Sequence, residues 1–271
     1  MSLSSADLAD LRRARDLLEN PGVAMKLTNL LGMPVEKAFD ILPRGFAQAI
    51  QRSTRAVLRA TLALGAWTLL SRRAKPAANG VHKMLVTTSG AVGGVFGIVA
   101  LPIELPISTA LMLRSIADIA RSEGEDLASK ETREACIQVF ALGGRSTSDD
   151  AAETGYFAVR AVLARTVGEA AEFVAEKGLV QEGAPALVRL ITSLASRSSV
   201  SVSEKAILQA VPLIGAAGGA AINLLFIAHF QRMARGHFIV RRLERTHGKA
   251  EVQRAYEGAA LPQPSAPPLL A

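Results

Sequence analysis

Apolar positions recur with the period of an α-helix along most of this chain. Residues 4–19 show the pattern first, with Ser4 or Ser5 as the N-cap and a stop at Asn20-Pro21-Gly22. The same period returns in further segments, which are 107–128, 130–142, 154–176 and 184–197. The alternation with a period of two that marks a half-buried β-strand is nearly absent. The pattern predicts an all-α protein.

Two long apolar runs stand apart from this pattern. Residues 84–113 contain Glu104 as their only ionisable residue, and residues 206–228 contain none. The runs share a set of glycines, namely Gly90, Gly93, Gly94, Gly97, Gly215, Gly218 and Gly219. Glycine lets helix backbones approach closely because it lacks a side chain. We therefore expect a single multi-helix bundle in which two Gly-rich apolar helices pack centrally, with the second continuing as a long helix to His247.

Each apolar run reaches the length that crosses a bilayer, so three interpretations compete. The runs form a buried helix pair, or a pair that becomes exposed at a membrane, or true membrane spans. Pro102 and Pro106 interrupt the first run, and Glu104 costs about 2.5–3.5 kcal/mol at the centre of a membrane helix. These residues weigh against spanning.

The charge distribution suggests an anionic partner. The chain has 31 basic and 24 acidic residues, a net charge of +7. No acidic residue occurs from Ile41 through Ile103, whereas eight basic residues do. A basic row with a tryptophan predicts an interfacial, lipid-binding helix formed by Arg52, Arg55, Arg59, Trp67, Arg72 and Arg73. An ordinary surface helix of a basic bundle is the alternative. Nucleic acid is not an expected partner, because exposed aromatics do not interleave with the basic residues.

Composition shifts suggest how the chain is organised. Residues 1–22 form an N-terminal helix, 23–257 a helical domain, and 258–271 a tail whose prolines predict disorder. The charged N-terminus lacks the apolar core of a signal peptide, which favours the cytoplasm. The single cysteine, Cys136, excludes an intramolecular disulfide and an all-cysteine metal site, and we expect it to be buried.

Catalytic motifs are nearly absent from the sequence. No HExxH, GxSxG or phosphate-binding P-loop occurs. One ExxH runs from Glu244 to His247, but a di-iron bundle needs two, and a solvated helix end is the expected state. We expect no metal and no cofactor. If the protein is an enzyme, the weak catalytic candidates are Glu104, Asp118, Tyr156 and His229.

Charged residues on and beside the predicted helix 107–128 carry two expectations. Arg114, Asp118, Arg121 and Glu125 follow helical steps of four, three and four, a spacing typical of surface ion pairs. Glu104 instead lies among apolar residues and needs a cation or a proton. Its candidate partners are Arg114, Arg160 and Lys205, and a buried polar pair with Arg114 or Lys205 is the expected outcome. A functional carboxylate is the alternative.

Several strings, in order, resemble the EcsC family of bacterial proteins. They are LPIELP (101–106), MLRSIADIAR (112–121), EGE (123–125), TGYFAVR (154–160), SEK (203–205), PLIGA (212–216) with Asn223, and ARGHF (234–238). The resemblance implies an all-α fold with Gly-rich apolar helices and an association with membranes. The family is named for a protein encoded beside an ABC transporter, and it has no agreed activity.

Residue pattern and resemblance lead to one functional expectation and two alternatives. We expect a non-catalytic protein that is cytoplasmic, peripherally associated with the inner membrane, and binds anionic phospholipid or a membrane surface. The outer faces of the two apolar helices would line a groove for an acyl chain, with a solid helical core as the alternative. The first alternative function is a hydrolase acting on lipid or peptide. The second is an interaction partner of a membrane transporter.

Overall fold

The computed structural model describes residues 3–19, 79–96, 101–142, 155–177 and 215–258. Within these ranges every regular element is an α-helix, which confirms the predicted fold class. The helices are α1 (Ser5–Glu19), α2 (Asn79–Phe96), α3 (Leu101–Ser122), α4 (Lys130–Leu142), α5 (Tyr156–Lys177), α6 (Gly215–His247) and α7 (Lys249–Gly258). No helix in these ranges combines the length and the hydrophobicity that a membrane span requires.

The first helix begins where local sequence predicts. The Ser4 hydroxyl accepts the Asp7 N–H at 3.1 Å, and the Asp7 carboxylate accepts the Ser4 N–H at 3.1 Å and its hydroxyl at 2.7 Å. This reciprocal capping satisfies backbone donors that a helix N-terminus otherwise leaves unpaired. Ser4 is therefore the N-cap of α1, one of the two residues that the sequence suggested.

Two glycines with positive φ separate helices in the second half of the structure. Gly124 (φ 82°) follows α3, and Gly248 (φ 88°) divides α6 from α7. Side chains with a Cβ rarely adopt this backbone conformation, so glycine ends a helix there at little cost. After Gly124, the Ser129 hydroxyl accepts the Thr132 N–H at 3.1 Å and caps α4. The chain thus turns from α3 into α4 within seven residues.

The third helix starts earlier than the hydrophobic pattern indicated. It begins at Leu101 rather than at residue 107, and both Pro102 and Pro106 lie inside it. Pro102 falls in the first turn, where the missing N–H has no intrahelical partner to lose. The first apolar run is therefore divided between α2 and α3.

The long helix α6 is the axis around which the described helices pack. Its most extensive contact is with α2, and α1, α3, α4 and α7 also pack against it. Asn223 donates to the carbonyl of Val86 at 2.9 Å and Gln231 to that of Asn79 at 3.2 Å, so α2 runs antiparallel to α6. The two apolar runs thus meet, as expected. What the glycines of 90–94 and 215–219 contact lies outside the described side chains, and Gly97 lies outside the described residues.

The first helix covers the other half of α6, again antiparallel to it. Asp16 lies 4.0 Å from Arg232, and Asp7 lies 3.2 Å from His247. Between these pairs, Gly236 allows close approach, because a Cβ there would lie 2.7 Å from Leu18 Cγ and 3.0 Å from the Ala14 carbonyl oxygen. Helices α1 and α2 therefore occupy successive halves of the same long helix.

The buried apolar side chains form one large core and two smaller clusters. The large core joins α2, α3, α4 and α6, and Cys136 lies in it fully buried, as predicted. A second cluster joins α1, α6 and α7, with Tyr156 from α5. A third joins α4 and α5 through Ile137, Leu163 and Val167. All described helices thus share a continuous set of apolar contacts.

Candidate functional site

A network of buried ion pairs surrounds the C-terminal half of α6. Glu125, beyond the end of α3, accepts hydrogen bonds from Arg241 at 2.8 and 3.1 Å, from Thr132 at 3.0 Å, and from Arg245. Burial by itself raises the pKa of this carboxyl, but the hydrogen bonds and positive charges of the two arginines outweigh it and hold the pKa below its usual value. Glu125 is therefore ionised at neutral pH and ties the α3–α4 turn to α6.

The start of α5 joins the same network through two residues. Arg160 donates to both carboxylate oxygens of Glu244, at 2.8 and 2.7 Å. One turn earlier, the Tyr156 hydroxyl hydrogen-bonds His237 Nδ1 at 2.7 Å. The Arg160 guanidinium also lies 5.8 Å from the centre of the Tyr156 ring. We call this set, together with Glu125, Arg241 and Arg245, the ion-pair cluster.

Burial keeps the aromatic members of the ion-pair cluster neutral. It raises the pKa of the Tyr156 hydroxyl. It also lowers the pKa of His237 well below its usual value, and the nearby charges of Arg160 and Arg241 act in the same direction. His237 is fully buried, so a substrate has no path to it in this conformation. The ion-pair cluster is therefore a set of polar contacts that holds neighbouring helices together.

A second polar group lies where α2, α3 and α6 meet. Gln231 donates to the Ser115 hydroxyl at 2.9 Å and to the Asn79 carbonyl at 3.2 Å. His82 Nε2 lies 3.5 Å from Asp118, whose other carboxylate oxygen accepts from Arg121 at 2.6 Å. Burial lowers the pKa of His82, although the Asp118 carboxylate partly offsets this effect. These contacts fix the position of α2 relative to α3 and α6.

Exposed apolar side chains concentrate at the opposite end of the molecule from the ion-pair cluster. On α2, Val81, Met84 and Leu85 are 59%, 73% and 47% exposed, and their spacing puts them on one helix face. Ile107 on α3 and Leu224 on α6 are 49% and 41% exposed. We call these five residues the apolar end. Of the described residues, one further large apolar side chain, Val162 on α5, is exposed.

The helix rise of α6 separates these two regions. Leu224 and Arg241 are 17 residues apart on this helix, which corresponds to about 26 Å along its axis. Groups of different chemistry therefore lie along the two halves of α6.

The structure does not assemble the four weak catalytic candidates around one point. Asp118 is engaged by Arg121 and His82, and Tyr156 contacts His237. His229 lies eight residues before His237 on α6, about 12 Å along the axis. Its ring packs against that of Phe230. The side chain of Glu104 lies outside the described ones.

Two interpretations of charged residues need correction. Asp118 and Glu125 are buried, 4% and 9% exposed, rather than members of a surface ion-pair row. Glu244 and His247 are not a solvated helix end, because Glu244 binds Arg160 and His247 lies 3.2 Å from Asp7. Asp118 and the ExxH pair lie on helices as their spacing predicts, but α3 ends at Ser122 rather than at residue 128, so Glu125 lies beyond the helix. In each case a facing element supplies a partner that the spacing does not show.

Several site predictions fall on residues that the structure does not describe. The interfacial residues Arg52, Arg55, Arg59, Trp67, Arg72 and Arg73 lie outside the described residues, as does Lys205. Within α3, the backbones of Glu104 and Arg114 are ten residues apart, about 15 Å along the helix. Arg160, another proposed partner of Glu104, binds Glu244.

Sequence reasoning missed the residues that form the ion-pair cluster on α6. Arg241 carried no motif, and Glu244 was noted only in an isolated ExxH that was expected to be a solvated helix end. A weak signal existed, because three of the resemblance strings supply Glu125, Tyr156, Arg160 and His237. The structure places these three strings next to α6 or within it. No group of three or more potential metal ligands occurs in the described part of the chain.

Comparison with known proteins gives one match, which is to a protein family and covers most of the chain. The model of the EcsC protein family matches residues 5–243, which include α1 to α5 and nearly all of α6. Comparisons with curated proteins and with solved structures find no match. The family match covers most of the chain and contains the apolar end and all of the ion-pair cluster except Glu244 and Arg245, and this protein therefore belongs to the EcsC protein family.

Proposed function

We propose that this protein is a non-catalytic, peripheral membrane protein that binds an anionic lipid surface through its apolar end. The observation that carries the proposal is the concentration of exposed apolar side chains on α2, α3 and the first part of α6. An exposed apolar patch, such as the face of α2 formed by Val81, Met84 and Leu85, is costly in water and marks an interaction surface. Inserting such side chains at a lipid boundary removes that cost.

The charges along the sequence before and within α2 favour lipid over a neutral partner. From residue 41 through 103 the sequence contains eight basic residues and no acidic one. An anionic leaflet attracts juxtaposed Lys and Arg by about 1 kcal/mol each. The net charge of +7 acts in the same direction at longer range. We place the protein at the cytoplasmic face of the inner membrane on these grounds.

The two alternative functions have less support. A hydrolase needs an acid or base near a nucleophile. Asp118 is already engaged by Arg121, however, and Tyr156 is buried in the ion-pair cluster. Binding to a transporter uses the same apolar surface as lipid binding, so the vesicle experiment below separates the two. A protein that ignores pure lipid but binds membranes containing transporters would favour the second alternative.

Vesicle binding tests the proposal directly. In the double variant Met84→Glu/Leu85→Glu, we expect affinity for phosphatidylcholine–phosphatidylglycerol vesicles to fall at least tenfold. The reason is that each buried apolar side chain contributes about 1.5–3 kcal/mol. The measurement is co-sedimentation at fixed ionic strength, with far-UV circular dichroism to verify folding.

A matched control separates the effect of the mutated position from the effect of the added charge. Ala161→Glu/Val162→Glu adds the same two charges at exposed positions on α5, away from the apolar end. We expect this variant to bind vesicles within about threefold of the wild type, since charge repulsion alone remains. Equal losses in the two variants, or no binding by the wild type, would contradict the proposal.

A further inference from the structure

Three cations on three different helices lie at one level of the bundle. Gln231 bonds to both Asn79 and Ser115, so these residues of α6, α2 and α3 share a level. Arg114 directly precedes Ser115, and Arg232 directly follows Gln231. Lys83 lies one turn beyond Asn79 on α2, next to His82, which contacts Asp118 of α3. We call Lys83, Arg114 and Arg232 the cationic belt.

The cationic belt borders the apolar end on each of its helices. On α3, Ile107, Ala110 and Arg114 are all exposed and share a face, so this face changes from apolar to cationic within about two turns. On α6, Leu224 and Arg232 are both exposed and are eight residues apart. On α2, Lys83 instead lies among the exposed apolar residues, between Val81 and Met84. The cations thus follow the apolar residues on α3 and α6 and are interleaved with them on α2.

Among the described side chains, the belt residues have at most one weak ion-pair partner. Neither Lys83 nor Arg114 forms an ion pair with a carboxylate in the described part of the chain. Arg232 has Asp16 as a partner at 4.0 Å, and both side chains are well exposed, 45% and 38%. An exposed pair at this distance contributes little. These cations contrast with the arginines of the ion-pair cluster, which bind carboxylates at 2.7–3.1 Å.

Helix geometry gives the spacing between cations and apolar residues. Ile107 precedes Arg114 by seven residues, about 10 Å of rise, and Leu224 precedes Arg232 by eight, about 12 Å. Apolar faces of interfacial proteins enter the headgroup and acyl boundary by about 5–10 Å. The separation between apolar residue and cation on α3 and α6 is of the same size as that depth, so one contact with a bilayer can bring Ile107 and Leu224 to acyl chains and Arg114 and Arg232 to lipid phosphates.

We propose that Lys83, Arg114 and Arg232 bind the phosphate groups of anionic phospholipids beside the apolar end. This inference rests on the proposed function and adds the headgroup contacts to it. Phosphate oxygens accept charge-assisted hydrogen bonds from Lys and Arg side chains. The belt accounts for selectivity among lipids, and the apolar end for adhesion to any bilayer.

The test compares the triple variant Lys83→Gln/Arg114→Gln/Arg232→Gln with the wild type on two kinds of vesicle. One is phosphatidylcholine alone, and the other is phosphatidylcholine mixed with phosphatidylglycerol. Each cation near an anionic surface changes binding about fivefold. We therefore expect the preference of the wild type for phosphatidylglycerol vesicles to fall by about 100-fold. Binding to phosphatidylcholine alone should stay within about threefold, because adhesion there depends on apolar contact.

The control variant is Arg13→Gln/Lys249→Gln/Arg254→Gln. It removes the same charge from exposed positions on α1 and α7, and its Arg254 is paired with Glu251 as Arg232 is with Asp16. We expect it to keep most of the phosphatidylglycerol preference. Equal losses in both variants overturn the belt but leave the proposed function intact. A wild type that binds neither kind of vesicle overturns both.

Discussion

The role of a residue in this protein depends mainly on whether its side chain is buried and on which residues it contacts. Glu125, Arg160, His237 and Tyr156 are all chemically capable side chains, yet each is hydrogen-bonded to a side chain of another element. Nε2 of His237 is buried without a hydrogen-bond partner. Removing one partner of a buried ion pair costs about 3–5 kcal/mol, because the other charge is left unpaired. At the residue scale the ion-pair cluster therefore acts as a lock that holds α5 and the α3–α4 turn against α6.

The buried histidine predicts how stability depends on pH. His237 has a pKa well below its ordinary value, and the charged groups facing it are Arg160 and Arg241. The unfolded chain binds a proton at this residue near pH 6.5, whereas the folded chain does not. The unfolded state then holds more protons, so the free energy of unfolding falls as pH drops below about 6.5. This residue contributes up to about 1.4 kcal/mol per pH unit to that fall.

Urea denaturation at pH 7.5 and at pH 5.5 measures this dependence. In His237→Gln, we expect a smaller difference between the two pH values than in the wild type, whatever its absolute stability. Tyr156→Phe is the control, because it removes the hydrogen bond to His237 but keeps the imidazole that titrates. Parallel pH profiles for the wild type and His237→Gln would disprove the assignment.

At the scale of helices, α6 organises the described structure. Two shorter helices, α1 and α2, run antiparallel to it on successive halves, and α3 brings the turn at Glu125 to its C-terminal part. The contacts differ in kind along its length. Backbone carbonyls of α2 receive side-chain donors from α6, while acidic side chains of α1 face its basic residues.

The close approach of α1 and α6 depends on one glycine. In Gly236→Ala, the new methyl group would lie 2.7 Å from Leu18 Cγ and 3.0 Å from a backbone oxygen. Neither atom is the free end of a flexible chain, so α1 must move. We expect the free energy of unfolding to fall by about 1–3 kcal/mol.

A second glycine serves as the matched control. Gly168 lies inside α5, and a Cβ there meets nothing within 4 Å. Gly168→Ala should therefore raise the free energy of unfolding by up to about 1 kcal/mol, since alanine favours the helix. Opposite changes in the urea midpoint are the expected result. Stabilisation by both substitutions would mean that α1 does not pack as described.

At the scale of the whole molecule, the two ends of the bundle have different chemistry. Ion pairs concentrate around the C-terminal half of α6, and exposed apolar side chains concentrate on α2, α3 and the N-terminal half of α6. This polarity gives the proposed membrane contact a direction: the apolar end enters first, and the ion-pair cluster stays in water.

Site-specific labelling tests this orientation. Cys136 is fully buried and burial raises the pKa of its thiol, so we expect it not to react in the folded protein. Cysteines introduced as Met84→Cys and Val162→Cys would then each carry one environment-sensitive fluorophore. Adding anionic vesicles should shift the emission of the label at 84 to the blue, because it enters a less polar medium. The label at 162 should change little, and equal shifts at both sites would contradict the orientation.

Much of the helical structure could be predicted from local sequence. The N-cap at Ser4, the bounds of α4 and the continuation of α6 to His247 match the expectations. Each depends on residues within a few positions of one another, and such interactions are present in the sequence itself. The roles of the paired glycines, the Arg52–Arg73 helix and the acyl groove remain predictions.

The sequence alone thus determined the helical class, several helix ends, the burial of Cys136 and an overall basic charge, because periodicity, capping and composition are local or additive properties. Only the tertiary structure decided which charges are buried and with whom. Tyr156 meets His237 across 81 residues of sequence, and Glu125 meets Arg241 across 116. Spacing along one helix is the same for a solvated carboxylate and a buried one. The difference lies in the facing helix, and its position follows from the packing of the whole chain.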